Sequence, residues 1–411
     1  YSFIKDALRQ RFLSTQPFHR DDYPGRNAFL SLKGLKELWI HTNNSCNLRC
    51  THCLVESSPK GETGLPTGEL VELIHQAKAL GVTQFHFTGG EPFIRPDLFR
   101  LVSSATEGGS RATILTNGVL IGQKTVKWLS TFPPGSIKLQ ISLDGSNPEV
   151  NDPIRGRGSF EAIIRGVRKV VGGGHSPAVA TVLIPENLHD LPELLRLLRK
   201  LGVTTVHLLY PHQRGRALQA LGQLSVVELT EAIFRARALA SELGLIIDNL
   251  SVLAARLHAP RFTRFDLSNT CWDSLCVYSN GEVYPSAVFA GHKALYCGNI
   301  RESSLEEIWR RSPTCQLIRS TTLKDKSSCW ACPFKFLCGG GDMEYAYFAS
   351  GANLLGLDPY CELYKEMIFR LLKGWVQEVQ EAQKNLSGLD APRVYLGMGE
   401  RSLCCLEEDS E

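Results

Sequence analysis

Three closely spaced cysteines, Cys46, Cys50 and Cys53, are the residues of this chain best suited to metal chemistry. They directly follow an apolar run, residues 35–42, whose pattern predicts a strand. Three thiolates leave one coordination position open. A zinc ion would need a fourth ligand nearby, whereas an iron–sulfur cluster held by three thiolates keeps one iron free for another ligand. The simpler alternative is a set of buried or zinc-bound thiols that support the fold.

Glycines and polar residues also follow the next three predicted strands, where a ligand could be bound. They are Gly89, Gly90 and Glu91 after the second strand, Asn117 after the third, and Ser142 and Asp144 at the fourth. Two adjacent glycines let a ligand approach the backbone closely. A neighbouring carboxylate can accept a hydrogen bond from an ammonium group. The pattern therefore favours a bound small molecule with an amino group.

Alternating strand and helix patterns position these residues. We predict strands at 36–42, 84–88, 111–116, 137–143, 178–184 and 204–210, with helices at 67–80, 96–107, 121–132, 159–171 and 189–201. Each connection is long enough for a helix, so neighbouring strands should be parallel. Six such units predict an α/β fold, a partial (β/α)6 barrel over residues 35–262. In barrels of this kind the chemistry lies at the carboxyl ends of the strands.

A second cysteine-rich region, residues 263–384, follows the predicted barrel. Its potential metal ligands are Cys271, Cys276, Cys297, Cys329, Cys332, Cys338, Asp342 and Cys361. No cysteine lies between Cys53 and Cys271, and ten of the 13 cysteines lie from Cys271 onward. Secreted domains stabilised by disulfides are small, and their cysteines are evenly distributed along the chain. The distribution instead indicates metal sites at two ends of a large enzyme in a reducing, cytoplasmic compartment.

Composition and charge exclude several other classes of function. The 411 residues carry a net charge of +3, which indicates neither a nucleic-acid partner nor a charged membrane partner. No apolar run is long enough to cross a membrane, and residues 1–34 read as a helix and a loop rather than a secretory signal or a leader-binding domain. Residues 385–411 form a polar tail with Cys404 and Cys405, which we interpret as incidental.

The chain resembles the radical S-adenosylmethionine (radical SAM) enzymes in its Cys46–Cys53 motif and in the Gly-Gly-Glu-Pro run that begins at Gly89. The resemblance implies a [4Fe–4S] cluster on Cys46, Cys50 and Cys53, whose free iron binds SAM. It implies that the glycine-rich run holds the SAM amino group. The remaining SAM-binding positions that it implies are Asn117, Ser142, Asp144, Arg155 for the carboxylate, and Asn187 and Leu208 for the ribose and adenine. A salt bridge at the surface is the alternative for Arg155.

The second cysteine region resembles the SPASM extension of this family, which houses auxiliary iron–sulfur clusters. The resemblance gives the outer cluster four thiolates, Cys329, Cys332, Cys338 and Cys361. The inner cluster keeps only Cys271 and Cys276, because Ser286 and Asp342 stand where the family has cysteines. Three alternatives stay open: Cys297 and Asp342 replace lost ligands, the cluster has an open iron that binds substrate, or the cluster is absent. We interpret Cys315 as structural.

The resemblance implies that SAM is cleaved reductively to a 5′-deoxyadenosyl radical, which removes hydrogen from a substrate carbon. We expect maturation of a ribosomally made peptide or a protein side chain by crosslinking, dehydrogenation or epimerisation, with Cys297 as a possible hydrogen donor. A flavodoxin- or ferredoxin-type protein would supply electrons. One alternative is the same chemistry on a small metabolite such as a tetrapyrrole or a sugar. Another is a non-enzymatic zinc-binding interaction protein.

Overall fold

One mixed sheet of ten strands forms the centre of the molecule, and the computed structural model describes it within residues 5, 9, 23–220, 224–259 and 263–385. The strand order is β10-β9-β8-β1-β2-β3-β4-β5-β6-β7. The strands are β1 Glu37–His41, β2 Gln84–Thr88, β3 Arg111–Thr116, β4 Ile137–Ser142, β5 Ala178–Val182, β6 Thr205–Leu209, β7 Ile246–Ile247, β8 Ser274–Val277, β9 Glu282–Tyr284 and β10 Gly298–Asn299.

The helices pack against this sheet and account for most of the remaining regular structure. They are α1 Thr67–Ala79, α2 Leu98–Thr106, α3 Gln123–Leu129, α4 Pro148–Arg155, α5 Ser159–Gly172, α6 Leu191–Lys200, α7 Ala217–Ala220, α8 Val226–Leu243, α9 Asp248–Leu257, α10 Leu305–Arg311, α11 Pro313–Ser320, α12 Lys335–Cys338, α13 Met343–Ala349 and α14 Cys361–Asn385. None of the described helices is both long enough and apolar enough to span a bilayer.

The six predicted barrel strands are confirmed, since β1 to β6 are parallel neighbours in sequence order. Alternation along β1 separates the two faces of the sheet. Leu38 and Ile40 belong to the core shared with the helices, whereas the indole of Trp39 stacks on the ring of His86 at 4.0 Å. Because side chains alternate along a strand, Trp39 and His41 face the barrel interior.

The second cysteine region continues the barrel sheet instead of forming a separate layer. Strand β8 pairs in parallel with β1, and β9 and β10 extend the same sheet as an antiparallel hairpin. Asp273 fixes the register, because its carbonyl accepts hydrogen bonds from the N–H groups of Lys36 and Glu37. The domain boundary near residue 262 stays a prediction, and the strands on either side of it in sequence belong to one sheet.

The described part of the N-terminal extension docks onto the second cysteine region. Arg26 is buried and donates to the carbonyls of Ser268 and Ile318 at 2.8 and 2.7 Å. The Tyr23 hydroxyl donates to Asp266 at 2.5 Å. This segment therefore contributes a buried cation to the fold. Cys404 and Cys405, with the rest of residues 386–411, lie outside the described residues.

Candidate active site and cluster-binding cysteines

The loop with Cys46, Cys50 and Cys53 follows β1 at the carboxyl edge of the barrel, where the sequence predicts it. The Leu48 N–H donates to Cys46 Sγ at 3.4 Å, and the Asn117 amide lies 3.8 Å from the same sulfur. Burial raises the pKa of the Cys46 thiol to about 11, so a thiolate there needs a positively charged partner such as iron. The loop thus fits a metal cluster held by three thiolates.

Spacing distinguishes this cysteine set from a site for a single ion. Among the described residues, the group of three ligands compact enough to hold one ion lies elsewhere and contains none of these cysteines. A [4Fe–4S] cluster is larger than one ion, and its thiolates bind different irons. The wider separation of Cys46, Cys50 and Cys53 therefore agrees with a cluster and not with a closed zinc site.

Gly89 and Gly90 pass so close to the cysteine loop that only glycine fits. A Cβ atom at Gly89 would lie 2.2 Å from the Asn43 carbonyl oxygen, and one at Gly90 would lie 2.0 Å from that of Ser45. Gly89 also has a φ of +126°, a conformation that favours glycine. The Gly90 N–H donates to the Asn43 carbonyl at 2.9 Å. These contacts join the glycine-rich loop directly to the cysteine loop.

Glu91 is fully buried, and its carboxylate already has three protein donors. It accepts hydrogen bonds from the Phe93 N–H at 3.0 Å, the Thr116 hydroxyl at 2.7 Å and the Asn117 N–H at 2.8 Å. Burial raises its pKa to about 7. The sequence predicts a carboxylate that accepts from the SAM ammonium. That contact stays a prediction, and in this structure the carboxylate joins the loops after β2 and β3.

Asn117 connects these loops to the cysteines. Its side-chain amide donates to Asn47 Oδ1 at 2.8 Å, inside the cysteine motif. Its own backbone N–H is held by Glu91. Asn117 therefore contacts the cysteine loop through its amide, and its predicted contact with SAM stays a prediction.

Asp144 is a fully buried carboxylate at the end of β4. Its oxygens lie 2.7 Å from His52 Nε2 and 2.7 Å from Arg155 Nε, and they accept from the Val182 N–H at 2.9 Å. Burial alone raises the pKa of Asp144, but the charges of Arg155 and His52 outweigh it and lower the pKa to about 2. The prediction that Arg155 binds a SAM carboxylate stays untested, because this arginine is paired with Asp144.

The remaining residues predicted to contact SAM are Asn187, Leu208 and Ser142. They differ in how many contacts their side chains already make within the protein. The Asn187 amide is used by the protein, since it donates to the carbonyls of Asp144 and Val182 and accepts from the Ile184 N–H, all at 2.9 Å. The Leu208 side chain is part of the hydrophobic core. The predicted SAM contacts of these two residues stay predictions. Ser142 closes β4 and is half-buried at the carboxyl edge.

Two imidazoles at the barrel mouth, those of the buried His41 and the half-buried His212, are site residues that the sequence analysis missed. Neither ring nitrogen of His41 has a hydrogen-bond partner, and the His41 ring lies 5.3 Å from that of Tyr278. His212 stacks on Tyr345 at 3.9 Å. Burial is the main cause that lowers the pKa of both histidines, and the charge of Arg214 lowers it further, to about 3. These rings are neutral, and the position of His41 at the carboxyl end of β1 is the signal that could have identified it.

The predicted outer auxiliary site is a small cavity of about 20 Å³. The four cysteines predicted to hold the outer cluster all line it: Cys329, Cys332, Cys338 and Cys361. Lys326 lines it too. This lysine is 1% exposed, and its Nζ has no hydrogen-bond partner. A buried ammonium is costly unless an anion compensates it. A cluster on four thiolates supplies that negative charge, so the residues fit it.

The predicted inner auxiliary site is not assembled. Cys276 packs among the rings of Tyr284 and Phe289 on the inner face of the sheet. Asp342 caps α13 by accepting from the N–H groups of Glu344 and Tyr345 at 2.7 and 3.3 Å. Ligation of an inner cluster by Cys276 and Asp342 therefore stays a prediction, and in this structure one side chain faces aromatic rings while the other caps a helix.

Cys271 lies instead with Cys297 and Cys315, and their three sulfurs are within 4.8 Å of one another. This group belongs to the helix-covered core, together with Leu275 and Val277, which alternate with Cys276 along β8. Cys297 therefore lies on the opposite face of the sheet from the barrel interior. The predicted role of Cys297 as a hydrogen donor to substrate stays a prediction that this placement does not support. Cys315, interpreted as structural, lies beside Cys271 and Cys297.

Comparison with known proteins agrees with this organisation. A family model for the radical SAM superfamily matches residues 40–198, and one for the SPASM iron–sulfur cluster-binding domain matches residues 270–333. The AdoMet-dependent heme synthase of Oleidesulfovibrio alaskensis is 30% identical, over 77% of this chain and 84% of that protein. The mycofactocin maturase MftC of Mycobacterium ulcerans is 27% identical, over 77% of this chain and 85% of that protein.

Solved structures share the same fold. The enzyme anSMEcpe with bound AdoMet superposes with a TM-score of 0.70 at 18% identity, covering 85% of this chain and 96% of that one. Streptococcus suis SuiB bound to its precursor peptide SuiA gives 0.67 at 18% identity, covering 88% of each chain. The chain therefore belongs to the radical SAM superfamily, carries a C-terminal SPASM domain, and is an enzyme that uses iron–sulfur clusters and SAM.

Proposed function

We propose that this radical SAM enzyme modifies a side chain of a ribosomally made peptide or of a protein, by crosslinking, dehydrogenation or epimerisation. When bound, the first cluster and SAM together supply the radical that removes a hydrogen atom from the substrate. The chain's own residues hold the cysteine loop in place, orient the substrate and exclude water. The enzymatic assignment removes the alternative of a zinc-binding interaction protein.

Closure of the mouth follows from contacts between the barrel and the SPASM domain. Arg214, after β6, donates to the carbonyls of Val288 and Ala290. The Tyr345 hydroxyl donates to the carbonyl of Tyr210 at 2.9 Å. These bonds bring aromatic and amide groups over the open side of the partial barrel. A covered, largely apolar mouth keeps water from a reactive radical.

The arginines around the barrel mouth favour a peptide substrate over an anionic metabolite, because their guanidinium groups already have partners within the protein. Arg155 is paired with Asp144, Arg214 donates to two backbone carbonyls, and Arg216 donates to the carbonyls of Cys50 and Ser57 at 2.8 and 3.1 Å. A tetrapyrrole with several carboxylates needs cations that are available to pair with them. The aromatic rings at the mouth suit an uncharged peptide side chain better.

Relatives give the proposal further support. The mycofactocin maturase is a maturation enzyme by its name. A second relative, the subtilosin biosynthesis protein AlbA of Bacillus subtilis, is 28% identical over 72% of this chain and 64% of that protein, and its name describes a bacteriocin pathway. We infer the same substrate class here, with a flavodoxin- or ferredoxin-type protein as the electron donor.

A tetrapyrrole is the second candidate substrate, because two observations favour it. Three relatives are AdoMet-dependent heme synthases, one of them at 30% identity. In addition, His41 and His212 are neutral imidazoles at the mouth, and a neutral imidazole is a common ligand of heme iron.

Anaerobic turnover with both substrate classes separates the two candidates. The reconstituted full chain is incubated with SAM and dithionite, and with either peptides translated from short reading frames beside its gene or an iron tetrapyrrole that carries carboxylates. We expect a peptide to raise 5′-deoxyadenosine formation and to lose two hydrogens, or to exchange one hydrogen with deuterated solvent, as seen by mass spectrometry. A product formed from the tetrapyrrole alone would overturn the peptide assignment.

A further inference from the structure

The sulfurs of Cys271, Cys297 and Cys315 are spaced for one metal ion. All three lie within 4.8 Å of one another, and the Cys297 and Cys315 sulfurs are 3.6 Å apart. Zinc–thiolate bonds of about 2.3 Å place the sulfurs of a tetrahedral site roughly 3.8 Å apart. A four-iron cluster separates its thiolates further, because each binds a different iron. The geometry therefore matches a single ion.

The backbone around these cysteines is held independently of any metal. Cys271 has a φ of +64° immediately before β8, and its carbonyl accepts from Trp309 Nε1 at 3.1 Å. Cys315 lies on α11, and the Cys297 N–H donates to the Val283 carbonyl at 2.9 Å. The three thiols therefore come from separate elements that the fold has already positioned, which lowers the entropy cost of binding an ion.

A buried cation beside the thiols lacks a compensating anion. Arg319 is 7% exposed and donates to the carbonyls of Cys271, Trp309 and Arg310 at 3.1, 2.7 and 3.1 Å. No carboxylate in the described part of the chain pairs with it. A divalent ion with three thiolates has a net charge of −1, which would balance the guanidinium. Burial of an unpaired charge is otherwise costly.

A buried hydroxyl is available for the fourth position. Ser312 precedes α11 and is 5% exposed, yet within the described residues its hydroxyl makes no cap bond to the helix. Serine at this position ordinarily accepts a bond from the helix backbone. The Ser312 hydroxyl lies close enough to Cys297 and Cys315 to influence both thiols. The site therefore offers an oxygen beside two of the three sulfurs.

We propose that Cys271, Cys297 and Cys315 bind one structural Zn²⁺ ion, with the Ser312 oxygen, directly or through a water, as the fourth ligand. This site takes the place of the inner iron–sulfur cluster, whose other predicted ligands are not assembled. Binding releases the three thiol protons and leaves the oxidation state of the metal unchanged. The ion joins the loop before β8, the segment before β10 and helix α11, and so stabilises the attachment of the SPASM region to the barrel.

Zinc-edge X-ray absorption on the anaerobically purified full chain tests the site without interference from iron. We expect about one zinc per chain, bound by three sulfurs at about 2.3 Å and one oxygen at about 2.0 Å. In Cys315→Ser we expect at least a tenfold loss of zinc at unchanged iron content, since even an outer-shell change lowers metal affinity ~10–100-fold. The matched control is Cys276→Ser, a buried cysteine of the same domain, which should keep its zinc.

Four results would overturn the zinc site. One is the absence of zinc in protein grown with zinc. Another is a shell of four sulfurs, which would place zinc at the outer site. A third is the loss of about four irons in Cys297→Ser, which would show an iron–sulfur cluster at this position. A disulfide between Cys297 and Cys315 in the native protein, found by mass spectrometry, would contradict it as well. The wild-type spectrum decides the question even if a variant does not fold.

Discussion

A single buried carboxylate, that of Glu91, organises the SAM-binding edge of the barrel. It has no contact with solvent and receives three hydrogen bonds from the loops after β2 and β3. One of these donors, the N–H of Asn117, belongs to a residue whose side chain reaches the cysteine loop. Glu91 thus acts on the cofactor through other residues, and it is a positioning residue.

Replacing Glu91 with glutamine should weaken both the fold and SAM binding. The glutamine NH2 group cannot accept from the Asn117 N–H, and a buried donor without a partner costs about 1–3 kcal/mol. We expect a lower thermal midpoint and weaker SAM binding, measured by calorimetry on the reconstituted enzyme. The matched control is Glu69→Gln, which breaks an exposed pair with Arg301 and should cost less than about 1 kcal/mol. Equal effects of the two changes would refute the positioning role.

At the scale of elements, Asp144 joins the cysteine loop to three other parts of the barrel. It pairs with His52 of that loop and with Arg155 at the end of α4, and it accepts from the Val182 N–H on β5. The Asn187 amide, in the loop after β5, donates to its backbone carbonyl. The loop that holds the cluster therefore depends on a charge network below it as well as on the cysteines.

Asp144→Asn should release this loop. Arg155 would stay buried without a counter-ion, which costs about 3–5 kcal/mol in similar cases. We predict a large drop in thermal stability and a reduced electron paramagnetic resonance signal from the SAM-binding cluster. Asp248→Asn, which removes the partner of His207 at a half-buried site, is the control and should leave that signal intact. A normal signal in Asp144→Asn would show that the network does not support the cluster.

Local patterns determine how much of these elements could be predicted from the sequence. The six barrel strands and helix α1, with Leu70, Leu73, Ile74 and Ala77 buried, follow from periodicity because each pattern is contained within one segment. Pairing of β8 with β1 could not be predicted, since neither strand encodes its partner. Cys315 carries no spacing motif relative to Cys271, so only the folded chain brings them together. The charge partner of Arg155 was missed for the same reason.

At the scale of the whole molecule, one continuous sheet has its metal-binding groups near opposite ends of strand β1. The SAM-binding cysteines follow the carboxyl end of β1, whereas Asp273, near Cys271, is level with Lys36 at its amino end. Six residues of strand separate these levels by roughly 20 Å. The Cys271, Cys297 and Cys315 group is thus structural in position, and the outer cluster cavity contains the auxiliary thiolates that remain.

Reductive cleavage of SAM by the full chain tests the central claim most directly. With SAM and dithionite under anaerobic conditions, the wild-type enzyme should release 5′-deoxyadenosine, measured by liquid chromatography and mass spectrometry. Cys50→Ala should release none above the background without enzyme, because the cluster loses a ligand, while Cys276→Ala should retain cleavage. Continued formation of 5′-deoxyadenosine by Cys50→Ala at the wild-type rate would contradict the account.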